Sequence, residues 1–358
     1  MQHSILTRST SKWECFYVIR NPALRGRNCL LKVQPRRAAV VYFPNTLQMC
    51  GIAGFFHKTD TRAPVGCGVM SMLSALECRG PDSTGVALFG SGATVSTGPV
   101  HAPASLILRV KLGEGTDLDG RAQTLRVFLE RFGGARDLKI TGSLARFVLE
   151  DGGNLDRLVA GIEALDEEFE VVSAGRMLEI VKQVGSPENL ERTYRISQAC
   201  GSHAIGHTRL STESRVDLSH SQPFWAHAVP DLAVVHNGHI TNYHQLRRRL
   251  EQKGVRFYTE NDSEIIGIYI ARQLERGLTL EQALRAMLDD LDGSYSTVVA
   301  TASEFGFVKD PFALKPLLFA ETPAAVAIAN EEIAIRAAIP GDYDVREAQA
   351  KDVRVWRK

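Results

Sequence analysis

No stretch of this sequence reaches the roughly 18 consecutive apolar residues of a membrane-spanning helix, so none of it reads as a membrane span. Its six cysteines, at 15, 29, 50, 67, 78 and 200, include no C-x-x-C pair. That argues against a zinc ribbon and leaves free thiols suited to a reducing compartment, with the cytoplasm as the expected location. No P-loop, no phosphoribosyl-binding run and no H-E-x-x-H is present, and neither internal repeats nor a Gly/Ser linker divide the chain. Basic charge is short over most of the length. Beyond residue 48 there are 34 Lys or Arg against 40 Asp or Glu, so no nucleic-acid groove is expected. The first 48 residues are the reverse, with eight basic residues, one acid (Glu14) and no long apolar segment of the secretory kind. This arm is Arg-rich and acid-poor, as organelle transit peptides are, and it reads as an appendage.

What is present is an ordinary globular composition: 358 residues, 44% hydrophobic and 23% charged, enough for two domains or one large one. Regular patterning begins at Met49. MCGIAGFF (49–56) reads as a buried strand, and residues 66–78 as a helix with Val69, Met72, Leu73 and Leu76 on one face. RGPDSTG (79–85) reads as a turn leading into a second strand. Helices are expected around 121–132, 154–166 and 187–199, with a strand pair near 168–183. HAIGHT (203–208) and LAVVHNG (232–238) read as strands. Three helices follow: one from Thr241 or Asn242 to Gly254, one from NDSE (261–264) to near Gly277, and one opened by a Thr279–Gln282 capping box. Strands near 295–301, 305–309, 316–319 and 325–329 suggest an antiparallel meander. Strands at both ends with helices between them indicate an α+β fold.

Cys50 directly follows an internal methionine. Were Met49 the first residue and then removed, the α-amine of Cys50, with an ordinary pKa of about 7.7–8.0, could act as base for its own thiol. Taken alone, a cysteine in an apolar strand is a packing residue. Arg209 in HTRLST (207–212) ends a strand where its fork could hold a carboxylate bidentately, although a surface ion pair is simpler. In HNG (236–238), Asn237 offers an amide donor and Gly238 a closely approachable N–H, together an oxyanion hole; an Asn-Gly turn is the plainer alternative. Asp262 in NDSE stands at a helix start, either as an N-cap or as a partner for a substrate ammonium. His203 and His207, with His236, His239 and His244 nearby in sequence, raise a zinc hydrolase. Residues four apart on a strand, however, lie over about 13 Å from one another. A thiol, an oxyanion pair, a carboxylate clamp and an ammonium clamp together suit an α-amino acid with an electrophilic side chain.

MCGIAGFF, RGPDSTG, HTRLST, HNG and NDSE, followed by DLDGSY (290–295) and KDPFALKPL (309–317), resemble in order and spacing the class II (N-terminal-nucleophile) glutamine amidotransferase domain over about residues 49–335. The resemblance implies a four-layer αββα sandwich, two antiparallel sheets between helices. It also implies L-glutamine as substrate. Cys50 would attack the carboxamide, while Asn237 and the Gly238 N–H stabilise the oxyanion. Arg209, with the Thr212 region, would hold the α-carboxylate, and Asp262 with the Gly238 carbonyl the α-ammonium. Arg79 and His207 would support the site. Ammonia leaves, and water hydrolyses the thioester to glutamate. Lys309 departs from the arginine that relatives often carry before Asp-Pro.

The insert between RGPDSTG and HTRLST, with VVSAGRMLEIVKQVG (171–185), looks like the separately encoded glutaminase subunits related to glutamate synthase, those of N-methylglutamate synthase included. That likeness implies a separate synthase chain carrying FMN and an iron–sulfur cluster, a small third subunit, and no cofactor or metal on this chain. Two further readings stay open: a non-catalytic glutamine-sensing regulatory subunit, and an amidotransferase subunit for another ammonia acceptor, such as amidophosphoribosyl transfer. The arm (1–48) conflicts with a free amine on Cys50. It is an upstream start with Met49 the true initiator, the favoured explanation, or a cleaved propeptide or targeting segment, or the mark of a pseudo-enzyme. It is expected to be poorly ordered and to pack little against the amidotransferase body (49–358).

Overall fold

The computed structural model describes residues 7–9, 12–14, 50–90, 105–113, 115, 117–150, 153–210, 217–227 and 229–358. The chain divides into two compact units, Met1–Leu47 and Gln48–Lys358. In the first, β1 (Thr7–Ser9) and β2 (Lys12–Glu14) pair antiparallel; the expectations for the rest of the arm fall outside the described residues.

The second unit opens with β3 (Gly51–His57), α1 (Val65–Ala75) and β4 (Ser83–Phe89). An excursion then runs through β5 (Leu106–Lys111), α2 (Leu118–Leu129), β6 (Arg136–Thr141), β7 (Leu144–Leu149), α3 (Leu155–Glu163) and β8 (Glu170–Gly175), returning by β9 (Leu178–Val184) and α4 (Pro187–Tyr194). Next come β10 (His203–Arg209), β11 (Phe224–Trp225), β12 (Ala233–Ile240), α5 (Tyr243–Glu251), α6 (Asp262–Glu275) and α7 (Leu280–Asp290). The chain closes with β13 (Gly293–Ala300), β14 (Glu304–Lys309), β15 (Leu318–Glu321), β16 (Ala325–Ala329), α8 (Glu332–Ala338), β17 (Val345–Glu347) and β18 (Val353–Arg357).

Two antiparallel sheets form the centre, with strand orders β17-β15-β16-β3-β10-β4-β9 and β11-β12-β13-β14-β18. Because side chains alternate along a strand, each sheet can serve two layers at once. Val235, Val298 and Phe307 point into the core between the sheets, where Phe56 stacks on Phe305 with ring centroids 5.7 Å apart. Their chain neighbours Val234, Val299 and Val308 pack instead under Ile266, Leu284 and Met287 of α6 and α7. Helices α1 and α8 cover the other face of the larger sheet. The αββα layering is therefore present, in an α+β chain. Among the described residues no helix is long and apolar enough to cross a membrane.

Four expectations need correction. The excursion builds a third antiparallel sheet, β6-β7-β5-β8, whose first three strands the sequence pattern does not reveal. Charges interrupt them, with Arg136, Asp137 and Lys139 on β6 and the buried Arg109 and Arg146 inside β5 and β7. The strand pair near 168–183 is real but splits, β8 joining the third sheet and β9 the first. The meander splits likewise: β13 and β14 belong to the smaller central sheet, β15 and β16 to the larger. Finally, the helix expected to reach 199 stops at Tyr194, because Arg195 turns left-handed (φ 53°).

Candidate active site

Antiparallel pairing of β3 with β10 sets Thr208 opposite Gly51, so the residues flanking that pair, Cys50 and Arg209–Leu210, meet at one end of the larger sheet. The Leu210 N–H donates to Cys50 Sγ at 3.3 Å, and the thiol lies 3.6 Å from the Leu210 carbonyl oxygen. Burial pushes the thiol pKa up, against smaller opposing pulls from the Leu210 backbone, the Arg209 charge and the Arg79 charge. At neutral pH the thiol is thus protonated and needs a base. The RGPDSTG turn lies against the same strand end: a Cβ on Gly80 would stand 2.5 Å from the Thr208 backbone, so only glycine fits. Arg79, one residue earlier, donates from Nε to the Cys50 carbonyl at 3.3 Å and pairs through Nη1 with Glu331 at 2.5 Å.

Asn237 comes from the facing sheet. Strand alternation points it between the sheets, while His236 points the other way, its Nδ1 3.0 Å from Ser263 Oγ. Asn237 Nδ2 donates to the Cys50 carbonyl at 2.8 Å and to Asn330 Oδ1 at 3.2 Å. With the amide nitrogen committed to two acceptors, Oδ1 must accept, and it does so from His207 Nε2 at 2.9 Å. That assigns the His207 proton to Nε2. Burial holds the His207 pKa down to about 4, so the ring is neutral near pH 7. Gly238 is not in a turn, contrary to the plainer reading of Asn-Gly. It lies within β12 at φ 134°, where a Cβ would come within 1.9 Å of the Ser294 carbonyl. Only glycine permits that backbone.

Asp262 is not the N-cap of α6. Asn261, in extended conformation, caps it by accepting from the Ser263 N–H at 2.9 Å. Asp262 is left to accept from the Ile240 N–H at 3.0 Å, with its other oxygen 3.7 Å from His236 Nδ1. Cys50, Arg209, Asn237, Gly238 and Asp262 line one cavity of about 650 Å³, within the usual range for small-molecule sites. Arg79 and His207 stand behind this lining, and Thr212 lies outside the described residues. A smaller cavity of about 170 Å³ between α5 and α6 contains none of these side chains.

Sequence reasoning missed Gln222, Asn330 and the wall formed by Lys315 and Pro316, all of which line the same cavity. Gln222 clasps the His236 backbone, accepting from its N–H at 2.6 Å and donating to its carbonyl at 2.8 Å. Lys309 is buried and donates to Ser296 Oγ at 2.9 Å and to the Lys315 carbonyl, so the departure from arginine still fixes the wall. The one signal for Asn330 was a polar residue closing the apolar run AVAIA (325–329). The histidine pair does not converge: His203 Nε2 meets the Thr301 carbonyl at 2.8 Å, whereas His207 meets Asn237. Among the described residues no group of three or more His, Cys, Asp or Glu could hold a metal ion.

A thiol at a strand start, facing an amide from a second antiparallel sheet within an αββα sandwich, places the protein in the N-terminal-nucleophile hydrolase class. A family model described as a glutamine amidotransferase domain matches residues 207–337. The chain is 36% identical over 315 residues to a Methanothermobacter thermautotrophicus protein named, by inference, a glutamine amidotransferase, covering 86% of this chain and 99% of that one. The chain belongs to the class II glutamine amidotransferases. It is also 32% identical over 179 residues to the amidophosphoribosyltransferase of the same organism, covering 50% of this chain but only 36% of that one. Among solved structures, the glutamine phosphoribosylpyrophosphate amidotransferase from B. subtilis matches 86% of this chain with a TM-score of 0.53. At 20% identity that likeness shows the fold alone, and this chain spans about half (49%) of that one.

Proposed function

We propose that the protein hydrolyses L-glutamine at Cys50 and supplies the ammonia to a separate acceptor chain. The observation that carries this is the convergence of the Cys50 thiol, two candidate oxyanion donors, the Arg209 guanidinium and the Asp262 carboxylate on a single cavity. In the proposed reaction Sγ attacks the side-chain carboxamide carbon as its proton passes to the freed α-amine of Cys50. The oxyanion is held by Asn237 Nδ2 and the Gly238 N–H. Collapse expels ammonia, which takes that proton, and leaves a γ-glutamyl thioester. Water cleaves the thioester to glutamate. Arg209, with the Thr212 region, holds the α-carboxylate, and Asp262 with the Gly238 carbonyl binds the α-ammonium. Neutral His207 and Arg79 keep Asn237 and the Cys50 carbonyl in place.

An amide nitrogen is no base near pH 7, so this chemistry requires a chain that begins at Cys50, by initiation at Met49 or by cleavage of the arm. For the acceptor, the amidophosphoribosyltransferase relative supports an amidophosphoribosyl-type reaction better than a glutamate-synthase-type partner. In the latter reading FMN and the iron–sulfur cluster sit on the partner chain, joined by a small third subunit, in the cytoplasm. Ammonia release from glutamine, measured for the chain beginning at Cys50, for Met1–Lys358 and for Cys50→Ala, tests the core of the reading. Release by the first alone supports it. Release by Met1–Lys358 would overturn the amine as base. Glutamine binding without release by any of the three would favour a sensor.

A further inference from the structure

We infer that Asn330 is a positioning residue: in the resting site it occupies the Asn237 N–H that turns to the oxyanion during catalysis. The inference rests on the glutaminase reading above. Asn330 closes an apolar strand and is only 3% exposed, so its amide must find partners within the protein. It finds three. Oδ1 accepts from the Ile52 N–H, two residues beyond the nucleophile, and from Asn237 Nδ2 at 3.2 Å. Nδ2 donates to the Pro316 carbonyl at 2.7 Å, on the cavity wall. The same amide therefore touches the nucleophile's strand, the proposed oxyanion donor and the wall of the site.

Both N–H groups of Asn237 Nδ2 are engaged at rest, one by the Cys50 carbonyl at 2.8 Å and one by Asn330 at 3.2 Å. An oxyanion in the cavity can be served only if one of them is released. The longer bond is the weaker. When it breaks, Asn330 Oδ1 still holds the Ile52 N–H, so no buried acceptor is orphaned and the exchange costs little. No covalent bond changes: the proton stays on Nδ2, and the oxyanion replaces Asn330 Oδ1 as its acceptor. A carboxylate at 330 would grip the same N–H more tightly, because charge-assisted hydrogen bonds are roughly twice as strong.

The test uses the γ-aldehyde analogue of glutamine. The Cys50 thiol adds across its C=O bond: an S–C bond forms, the C=O π bond breaks and the thiol proton passes to the former carbonyl oxygen. The product is a hemithioacetal whose oxygen stands as in the tetrahedral intermediate. Water can relay that proton in an equilibrium measurement, so the full chain suffices. Affinities for the aldehyde and for glutamine are measured in the unaltered chain, in Asn330→Asp and in Asn330→Ala, with thermal melts as a folding control. Aldehyde binding should weaken about tenfold in Asn330→Asp and by a smaller factor in Asn330→Ala, with glutamine affinity unchanged in both. A purely anchoring role predicts the reverse order, because aspartate keeps the bonds to Ile52 and Asn237. That order, or equal shifts for the two ligands, overturns the inference. If Asn330→Asp does not fold, unaltered aldehyde binding in Asn330→Ala overturns it as well. An unaltered protein that binds neither ligand, whether it begins at Met1 or at Cys50, refutes the glutaminase reading itself, a separate and recognisable failure.

Discussion

Two of the clusters of buried polar side chains in the described residues are built on opposite terms. Where the third sheet meets the larger central sheet, Glu179 of β9 lies fully buried between Arg109 of β5 and Arg146 of β7, with hydrogen bonds of 2.7, 2.8, 3.1 and 3.3 Å. Two guanidinium groups thus share one carboxylate, and Arg146 Nη1 has no hydrogen-bond partner among the described residues. None of the three lines the site cavity. Behind Cys50 the buried groups His207, Asn237 and Asn330 are all neutral, and the charges of Arg209 and Asp262 face the cavity. Ion pairing there joins two sheets, while the buried side chains that hold Asn237 are a neutral amide and an uncharged imidazole, and the half-buried Arg79–Glu331 pair reaches only the Cys50 carbonyl. Burial of polar groups does not by itself mark function; a cavity facing them does.

That contrast can be broken. The largest effect is expected from Glu179→Ala, which leaves two buried arginines uncompensated and should cost about 3–5 kcal/mol of stability, read from denaturant midpoints. The protein that remains folded should keep its glutamine affinity. Asn237→Ala should do the opposite, lowering kcat about 10²–10³-fold with little change in melting temperature. An effect confined to KM would move Asn237 to a binding role. Arg209→Lys should raise KM about tenfold with kcat nearly kept, since a point charge cannot reproduce a bidentate fork. Unchanged glutamine affinity would sink the carboxylate-clamp assignment.

The smallest effect concerns pH. His207 is held down to about 4 in the folded chain, against an ordinary 6.5. The unfolded chain therefore takes up a proton that the folded chain refuses, and the stability His207 contributes is complete above pH 6.5 and lost as pH falls toward 4. At about pH 6 the loss is about 0.8 kcal/mol. His207→Gln, which can still donate to Asn237, should remove that part of the pH dependence in denaturant titrations. An unchanged slope between pH 7 and 5 would mean that His207 is charged or exposed.

Much of the site was legible because each piece is local. Cys50 opens an apolar strand, Arg209 closes one, and Asn237–Gly238 sit together on a third. Short motifs carry such residues intact, and the likeness of those motifs supplied the layering. Asn330 and Gln222 were invisible for a physical reason. The contact of Asn330 with Ile52 spans 278 positions, and nothing in AVAIANEE names its partner. The third sheet escaped because charges interrupt its strands, and the buried ones are neutralised only from another sheet, as Glu179 of β9 neutralises Arg109 and Arg146. The sequence left Asp262 open between a helix cap and an ammonium partner because Asn261 can cap equally well, and only the extended backbone of Asn261 decides which residue caps α6.

Covalent chemistry at Cys50 is the claim on which the rest depends. Rapid acid quenching of the chain beginning at Cys50 during turnover of isotopically labelled glutamine, followed by peptide mass spectrometry, tests it most directly. A labelled γ-glutamyl group should be found on the peptide that begins at Cys50, decaying as labelled glutamate accumulates and absent from Cys50→Ala. Labelled glutamate formed at full rate with no adduct on Cys50, or formed by Cys50→Ala, would contradict the thioester mechanism.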